Sequence, residues 1–145
     1  MAEDPEQAKR SRHHTAFRQP DAIARLRQEN FKMLRAGLVR EGIGLENLDA
    51  YLQTLSEPGA LEAAINWYRA NDIASAEIPA VSLPTLYIWG TADASVGRRA
   101  AELTAQFVSG LYRFIQIEGG GHFIVDQFPD RIAQLLIEHI RGASL

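Results

Sequence analysis

Two short apolar runs, Thr85-Leu86-Tyr87-Ile88-Trp89 and Tyr112 to Ile117, flank a stretch of helical character from about Arg98 to Val108. This strand, helix, strand order constrains the chain more than any other feature. Such a unit crosses over right-handedly and leaves its two strands parallel. Parallel strands belong to sheets covered on both faces, and a pair alone is marginal in water. The open edge is then closed by self-association or another chain, or the strands join a larger sheet whose remaining strands are encoded upstream. The second solution is the expectation here. A further helix, Pro129 to Arg141, with Ile132, Leu135, Leu136 and Ile140 inward, completes a β-α-β-α order.

The first half differs in kind. From Glu3 to about Ala70 the periodic stretches are helical, with breaks at Pro20, at Gly42 with Gly44, and at Pro58 with Gly59. Between Pro20 and Leu38 the residues Ile23, Leu26, Met33 and Leu34 fall near one face, with Asp21 available to the first turn. Leu45 to Leu55 and Leu61 to Ala70 repeat the pattern, and Ser56 suits an N-cap for the latter, with Pro58 in its first turn. After Asp72 the segment IASAEIPAVSLP reads as a connector. The expected division is therefore 1–75 and 76–145.

Composition narrows the classes of function. With 15 Lys plus Arg against 18 Asp plus Glu, no positive field gathers nucleic acid or an anionic membrane. The absence of cysteine removes disulfides, thiol catalysis and Cys-type zinc sites and suits a reducing compartment. The charged N-terminal stretch MAEDPEQAKRSRHH carries no apolar signal core or membrane span. A cytoplasmic protein with neither nucleic-acid nor membrane partners is the expectation.

Chemistry concentrates at the ends of the two strands, in Trp89-Gly90-Thr91-Ala92-Asp93 and Glu118-Gly119-Gly120-Gly121-His122-Phe123. Parallel neighbours place both ends on one edge, and the carboxyl edge of an α/β sheet is where ligands bind. Asp93 and His122 can therefore meet. A carboxylate there would fix the imidazole tautomer and stabilise its protonated form, as an orienting acid does for a general base. Three glycines before the histidine permit unusual backbone angles.

The order of acid then histidine on the last two strands is that of the α/β-hydrolases. Asn66-Trp67-Tyr68-Arg69-Ala70, the WGxxD stretch and Gly121-His122-Phe123 together resemble the C-terminal half of an epoxide-hydrolase-like protein. The resemblance implies an α/β fold in which a helical cap segment precedes the last β-α-β-α portion of the hydrolase core, leaving an incomplete parallel sheet. It further implies His122 as base and Asp93 as its acid partner, activating water against an alkyl-enzyme ester. Tyr68 would donate a hydrogen bond to the epoxide oxygen. The family's second cap tyrosine precedes an aromatic-Arg-x-Pro stretch, and before Phe17-Arg18-Gln19-Pro20 that place holds His13. No Gly-x-Ser-x-Gly or Gly-x-Asp-x-Gly elbow and no His-Gly oxyanion segment is present, so covalent catalysis lacks its first step within this chain. The implied partners are a small-molecule epoxide or ester once the fold is completed, and an N-terminal half or a second copy. No cofactor and no metal is implied.

Plainer readings stand beside these. Asp93 suits a turn or helix cap after a strand, His122 a hydrogen-bonded loop histidine, and Tyr68 a residue packed beside Trp67. His13 and His14 read as solvated side chains, because helical neighbours point about 100° apart and no carboxylate motif completes a metal site. Asp126 reads as a helix-entry carboxylate and Glu118 as a strand end, with a minor claim as alternative acid. A non-catalytic, self-associating module derived from the same fold is the competing function.

Overall fold

The computed structural model describes residues 4–71 and 79–142, and the chain divides into two compact units, 1–76 and 77–145. The first half of the connector IASAEIPAVSLP, and the Glu3 boundary of the first helix, lie outside the described residues.

The first unit is helical. α1 (Pro5–Arg10) starts where the Asp4 carboxylate accepts from the amides of Glu6 and Gln7, with proline opening the first turn. α2 (Arg12–Arg18), α3 (Ala22–Arg40), α4 (Leu45–Ser56) and α5 (Ala60–Ala70) follow. Leu26, Leu61 and Ile65 form the centre of the core, with Phe17, Ile23, Phe31, Leu34 and Leu55 packed around them. Two expectations change here. The stretch read as one helix from Pro20 is interrupted, because Glu29, Asn30 and Phe31 adopt left-handed φ of 48°, 53° and 60°. Leu26 and Met33 are two turns apart and would share a face on an unbroken helix. The interruption resets that phase, so Phe31 and Leu34 pack on the core while Met33 is 49% exposed. Ser56 does not cap α5: it ends α4, its hydroxyl donating to the Gln53 carbonyl. The N-cap is Gly59, in the left-handed conformation at φ 82° that glycine adopts without steric cost. Asp21 occupies the N-cap of α3 but makes no side-chain cap bond.

The second unit holds β1 (Thr85–Gly90), α6 (Arg98–Leu103), a 3₁₀ turn (Thr104–Phe107), β2 (Tyr112–Ile117), α7 (Ile124–Gln127) and α8 (Pro129–Gly142). The crossover helix is shorter than its sequence suggests. It tightens at Thr104, whose hydroxyl donates to the Ala101 carbonyl, and Val108 leaves the helix to bridge Val81. β1 and β2 pair in parallel from Thr85↔Tyr112 to Gly90↔Ile117. Alternation along the strands sends Leu86, Ile88, Ile115 and Ile117 toward Ile132 and Leu135 of α8. On the other side Tyr87 stacks on Phe114, with ring centroids 5.7 Å apart. Leu136 and Ile140, expected inward, are exposed. Among the described residues the sheet has two strands, too narrow to cover the whole apolar stripe of α8. No described helix is long and apolar enough to cross a membrane.

Leu135, with no exposed surface, anchors this layer. Leu135→Ala is expected to cost about 2–5 kcal/mol, whereas Leu136→Ala, at an exposed position, should stay within about 0.5 kcal/mol. Urea denaturation midpoints of the two variants check the contrast.

Candidate functional site

The register of the strand pair ends both strands at one level, and the loops beyond them touch through glycine. A Cβ on Gly90 would lie 2.2 Å from the Gly120 carbonyl oxygen and 2.7 Å from that of Gly121. Only a residue without a side chain allows that approach. Backbone hydrogen bonds then fasten the loops together: the Thr91 amide donates to the Ile117 carbonyl, and the Ala92 amide to the Gly120 carbonyl at 2.8 Å. Side chains add to this, with the Gly119 amide donating to the Thr91 hydroxyl at 2.9 Å and the Gly121 amide to Gln127 Oε1 at 2.6 Å. Of the glycine triplet, Gly119 alone has positive φ. Gly120 serves close approach, with the Gly90 Cα 3.2 Å from where its own Cβ would be.

Asp93 sits on this platform and is buried, its side chain 7% exposed. Its Oδ1 accepts from the amides of Ser95 and Val96, each at 2.7 Å. Its Oδ2 faces Nδ1 of His122 at 3.0 Å. The turn residue and the histidine partner of the sequence readings are thus the two oxygens of one carboxylate. Burial pushes the Asp93 carboxyl upward, yet the hydrogen bonds from His122, Val96 and Ser95 outweigh it and hold the group below the usual carboxylate range. An ionised carboxylate only accepts, so His122 carries its proton on Nδ1 and its basic nitrogen in the neutral ring is Nε2. The loop is closed by Trp89, whose indole donates to the Val96 carbonyl at 3.0 Å beneath the Arg98 guanidinium, 5.4 Å from the ring centre. Glu118 lies exposed just beyond β2, and Asp126 lies in the first turn of α7.

The other two predicted residues lie together in the first unit. Tyr68 of α5 meets edge-on the rings of His14, Phe17 and Trp67 at 5.2, 4.9 and 5.1 Å, and that of His13 at 6.0 Å. The expectation of two solvated histidines is therefore corrected. The rings of His13 and His14 lie 4.5 Å apart and are half-buried, because α5 packs on α2 and offers Tyr68 to both. Burial raises the Tyr68 phenol above its ordinary value, which keeps its hydroxyl protonated and able to donate. Two arginines lock α2 to α5 in opposite directions. Arg18 donates to the carbonyls of Tyr68 (2.9 Å) and Asn71, the unpaired end of α5. Arg69 donates to the Gln19 carbonyl at 3.1 Å. Sequence reasoning missed these arginines, Trp89, Thr91 and Gln127, although all but Gln127 stand inside the motifs already singled out.

No family model matches the chain. It is 32% identical over 108 residues to epoxide hydrolase A of Mycobacterium tuberculosis, covering 71% of this chain and 33% of that protein. To epoxide hydrolase 4 of Mus musculus it is 34% identical over 110 residues, covering 73% and 30%. The Bacillus megaterium epoxide hydrolase in complex with an inhibitor shares the fold, with a TM-score of 0.80 at 17% identity over 97% of this chain and 54% of that one. The chain belongs to the α/β-hydrolase superfamily. It is a C-terminal portion of that fold, spanning about a third of the length of the curated relatives and about half of the solved structure. The two-stranded parallel sheet of the described residues agrees with this likeness to about half of an α/β-hydrolase fold.

Two outcomes follow. Gly90→Ala should force the strand-end loops apart and cost about 1–3 kcal/mol, whereas Gly37→Ala, with open space at its Cβ, should be neutral or stabilising by up to about 1 kcal/mol. Thermal unfolding of both variants decides. The second concerns pH. Because the Asp93 carboxyl is depressed in the folded state, its contribution is complete above the ordinary carboxylate value near pH 4 and is lost as pH falls through the depressed value. Asp93→Asn should flatten that part of the acid limb in a stability-against-pH curve.

Proposed function

We propose that this chain supplies the acid, the base and the substrate-facing cap of an epoxide-hydrolase-like enzyme, while the nucleophile comes from a segment outside this sequence. The observation that carries the reading is the Asp93–His122 hydrogen bond of 3.0 Å, made by a buried carboxylate already anchored by two amides. In this reading Asp93 holds His122 in the Nδ1–H tautomer and stabilises the imidazolium. Nε2 takes a proton from water as the water oxygen attacks the carbonyl carbon of the alkyl-enzyme ester. The tetrahedral intermediate then collapses as the imidazolium returns its proton to the departing alkoxide, releasing the alcohol, and the acid so formed loses its proton to restore the nucleophilic carboxylate. The helical unit, residues 1–75, serves as the cap, where Tyr68 and His13 bind the substrate oxygen and stabilise charge developing on it. The relatives' names support an epoxide as substrate, and an ester is the alternative. A cytoplasmic setting fits the lack of cysteine.

A second reading has one observation in its favour. Leu136 and Ile137 on α8 are 45% and 48% exposed beside a sheet of two strands, so a self-associating module would also close the fold.

Hydrolysis of a small epoxide and ester panel separates the readings. The chain co-expressed with the remaining part of the Mycobacterium tuberculosis relative should turn over an epoxide, and the chain alone should not. Asp93→Asn and His122→Ala should each lower the rate about 100- to 10,000-fold, and His122→Ala should accumulate the alkyl-enzyme ester, visible by mass spectrometry. A folded mixture that is inert while the chain alone forms a stable oligomer would sink the enzyme reading and leave the module.

A further inference from the structure

The main chain on both sides of His122 is fastened by one residue that takes no part in the acid and base pair. Gln127 Oε1 accepts from the Gly121 amide at 2.6 Å, and the Gln127 amide donates to the Phe123 carbonyl at 3.3 Å. Gly121 and Phe123 flank His122 in the chain. The two bonds close residues 121–127 into a ring with the histidine inside it. Strand pairing does not reach this far, because its last pair is Gly90↔Ile117. α7 is four residues long, and so short a helix has little order of its own in water.

The bond to Gly121 has a specific use. Gly121 is buried, and a buried amide without an acceptor is unfavourable. Its neighbours in the glycine run draw on the other loop and on the strand: the Gly119 amide donates to the Thr91 hydroxyl and the Gly120 amide to the Ile117 carbonyl. Gln127 is itself exposed, so what it brings to this place is an acceptor oxygen and not apolar burial. The His122 side chain is 43% exposed and cannot take its orientation from packing alone. A shift of its backbone by about 1 Å would open the 3.0 Å contact between Nδ1 and Asp93 Oδ2 beyond hydrogen-bonding range.

We propose that Gln127 is a positioning residue for His122: by clasping the backbone on either side of the histidine it keeps Nδ1 within reach of the Asp93 carboxylate. It acts through the main chain and not on the ring. Its effect on rate rests on the base role given to His122 above, because a base displaced by about 1 Å loses on the order of 100-fold in rate. Its effect on geometry does not rest on that role and is present in this chain alone.

Proton spectra of the folded chain read the geometry through the His122 Nδ1 proton, which resonates far downfield while a carboxylate holds it, and His122→Ala assigns the signal. Gln127→Met removes the acceptor oxygen and keeps the stem, and Gln127→Glu restores an oxygen at the same reach. Thr104→Val removes hydroxyl bonds to the Ala101 carbonyl and the Tyr112 hydroxyl and serves as the structural control. Gln127→Met should exchange the Nδ1 proton and the Gly121 amide at least about tenfold faster, Gln127→Glu should recover the wild-type rates, and Thr104→Val should lower the unfolding temperature without moving either rate. Should Gln127→Met not fold, Gln127→Asn, whose carboxamide is one methylene short, carries the same outcomes. Unchanged exchange in the Gln127 variant, or equal acceleration in Thr104→Val, overturns the proposal. In the co-expressed assembly Gln127→Met should lower kcat about 10- to 100-fold with KM within about twofold, and Gln127→Glu should recover it. An active assembly whose kcat is unmoved by Gln127→Met overturns the role in catalysis. Faster exchange in Gln127→Met beside a wild-type assembly that is inert upholds the clasp and overturns the enzyme reading.

Discussion

Everything at the polar edge of the second unit depends on the parallel register that sets Gly90 opposite Ile117. That pairing brings two loops, 29 residues apart in sequence at Asp93 and His122, to one level of the sheet. It would not suffice with a side chain at Gly90, because the Gly120 carbonyl occupies the space a Cβ would need. The close approach lets the Ala92 amide reach the Gly120 carbonyl, and this bond fixes the loop from which Asp93 projects. The site thus owes its geometry to backbone contact first and to its charged groups second.

A comparable logic holds in the helical unit with different means. Helix ends leave carbonyls unsatisfied, and α5 ends where Arg18 can supply donors to Tyr68 and Asn71. Arg69 returns a donor to the Gln19 carbonyl, beyond the end of α2. Hydrogen bonds from charged donors are stronger than neutral ones, and two running in opposite directions resist both sliding and rotation of α2 against α5. Tyr68 lies between these anchors, and the rings of Phe17, Trp67 and His14 fill the space around it. The aromatic cluster is therefore held by arginines at its rim as well as by burial of its faces.

Sequence revealed the parts of this structure that repeat or carry a motif. The second strand, Tyr112–Ile117, was legible to the residue because an apolar run lies between turn residues. Asp93 and His122 were legible because strand order alone brings them to one edge. What escaped was phase and identity of contact. Nothing in the residues 28–31 signals that the backbone turns left-handed there, so the facing of Met33 was misjudged. The three glycines before His122 are alike in sequence, and only the fold separates Gly119, which needs positive φ, from Gly120, which needs proximity. The two histidines looked solvated because a helix separates neighbours by about 100°, and their convergence on Tyr68 is a tertiary fact. Leu136 and Ile140 obey the helical period, yet period says nothing about how wide a sheet lies beneath.

The Asp93 carboxylate shows why such a site is ordered before anything binds to it. Burying an ionised carboxyl is unfavourable unless its oxygens are hydrogen-bonded. Two of the required donors are the amides of Ser95 and Val96, which the loop supplies only in its present shape. The third is His122 Nδ1–H, which the second loop supplies only while Gly120 and Gln127 hold that loop in place. Release of the imidazole would remove one charge-assisted hydrogen bond from a buried carboxylate, a loss on the order of 1–3 kcal/mol. The same interaction that keeps the carboxylate ionised therefore holds the ring in one orientation and one tautomer, and the half-exposed His122 gains an order its own packing would not provide.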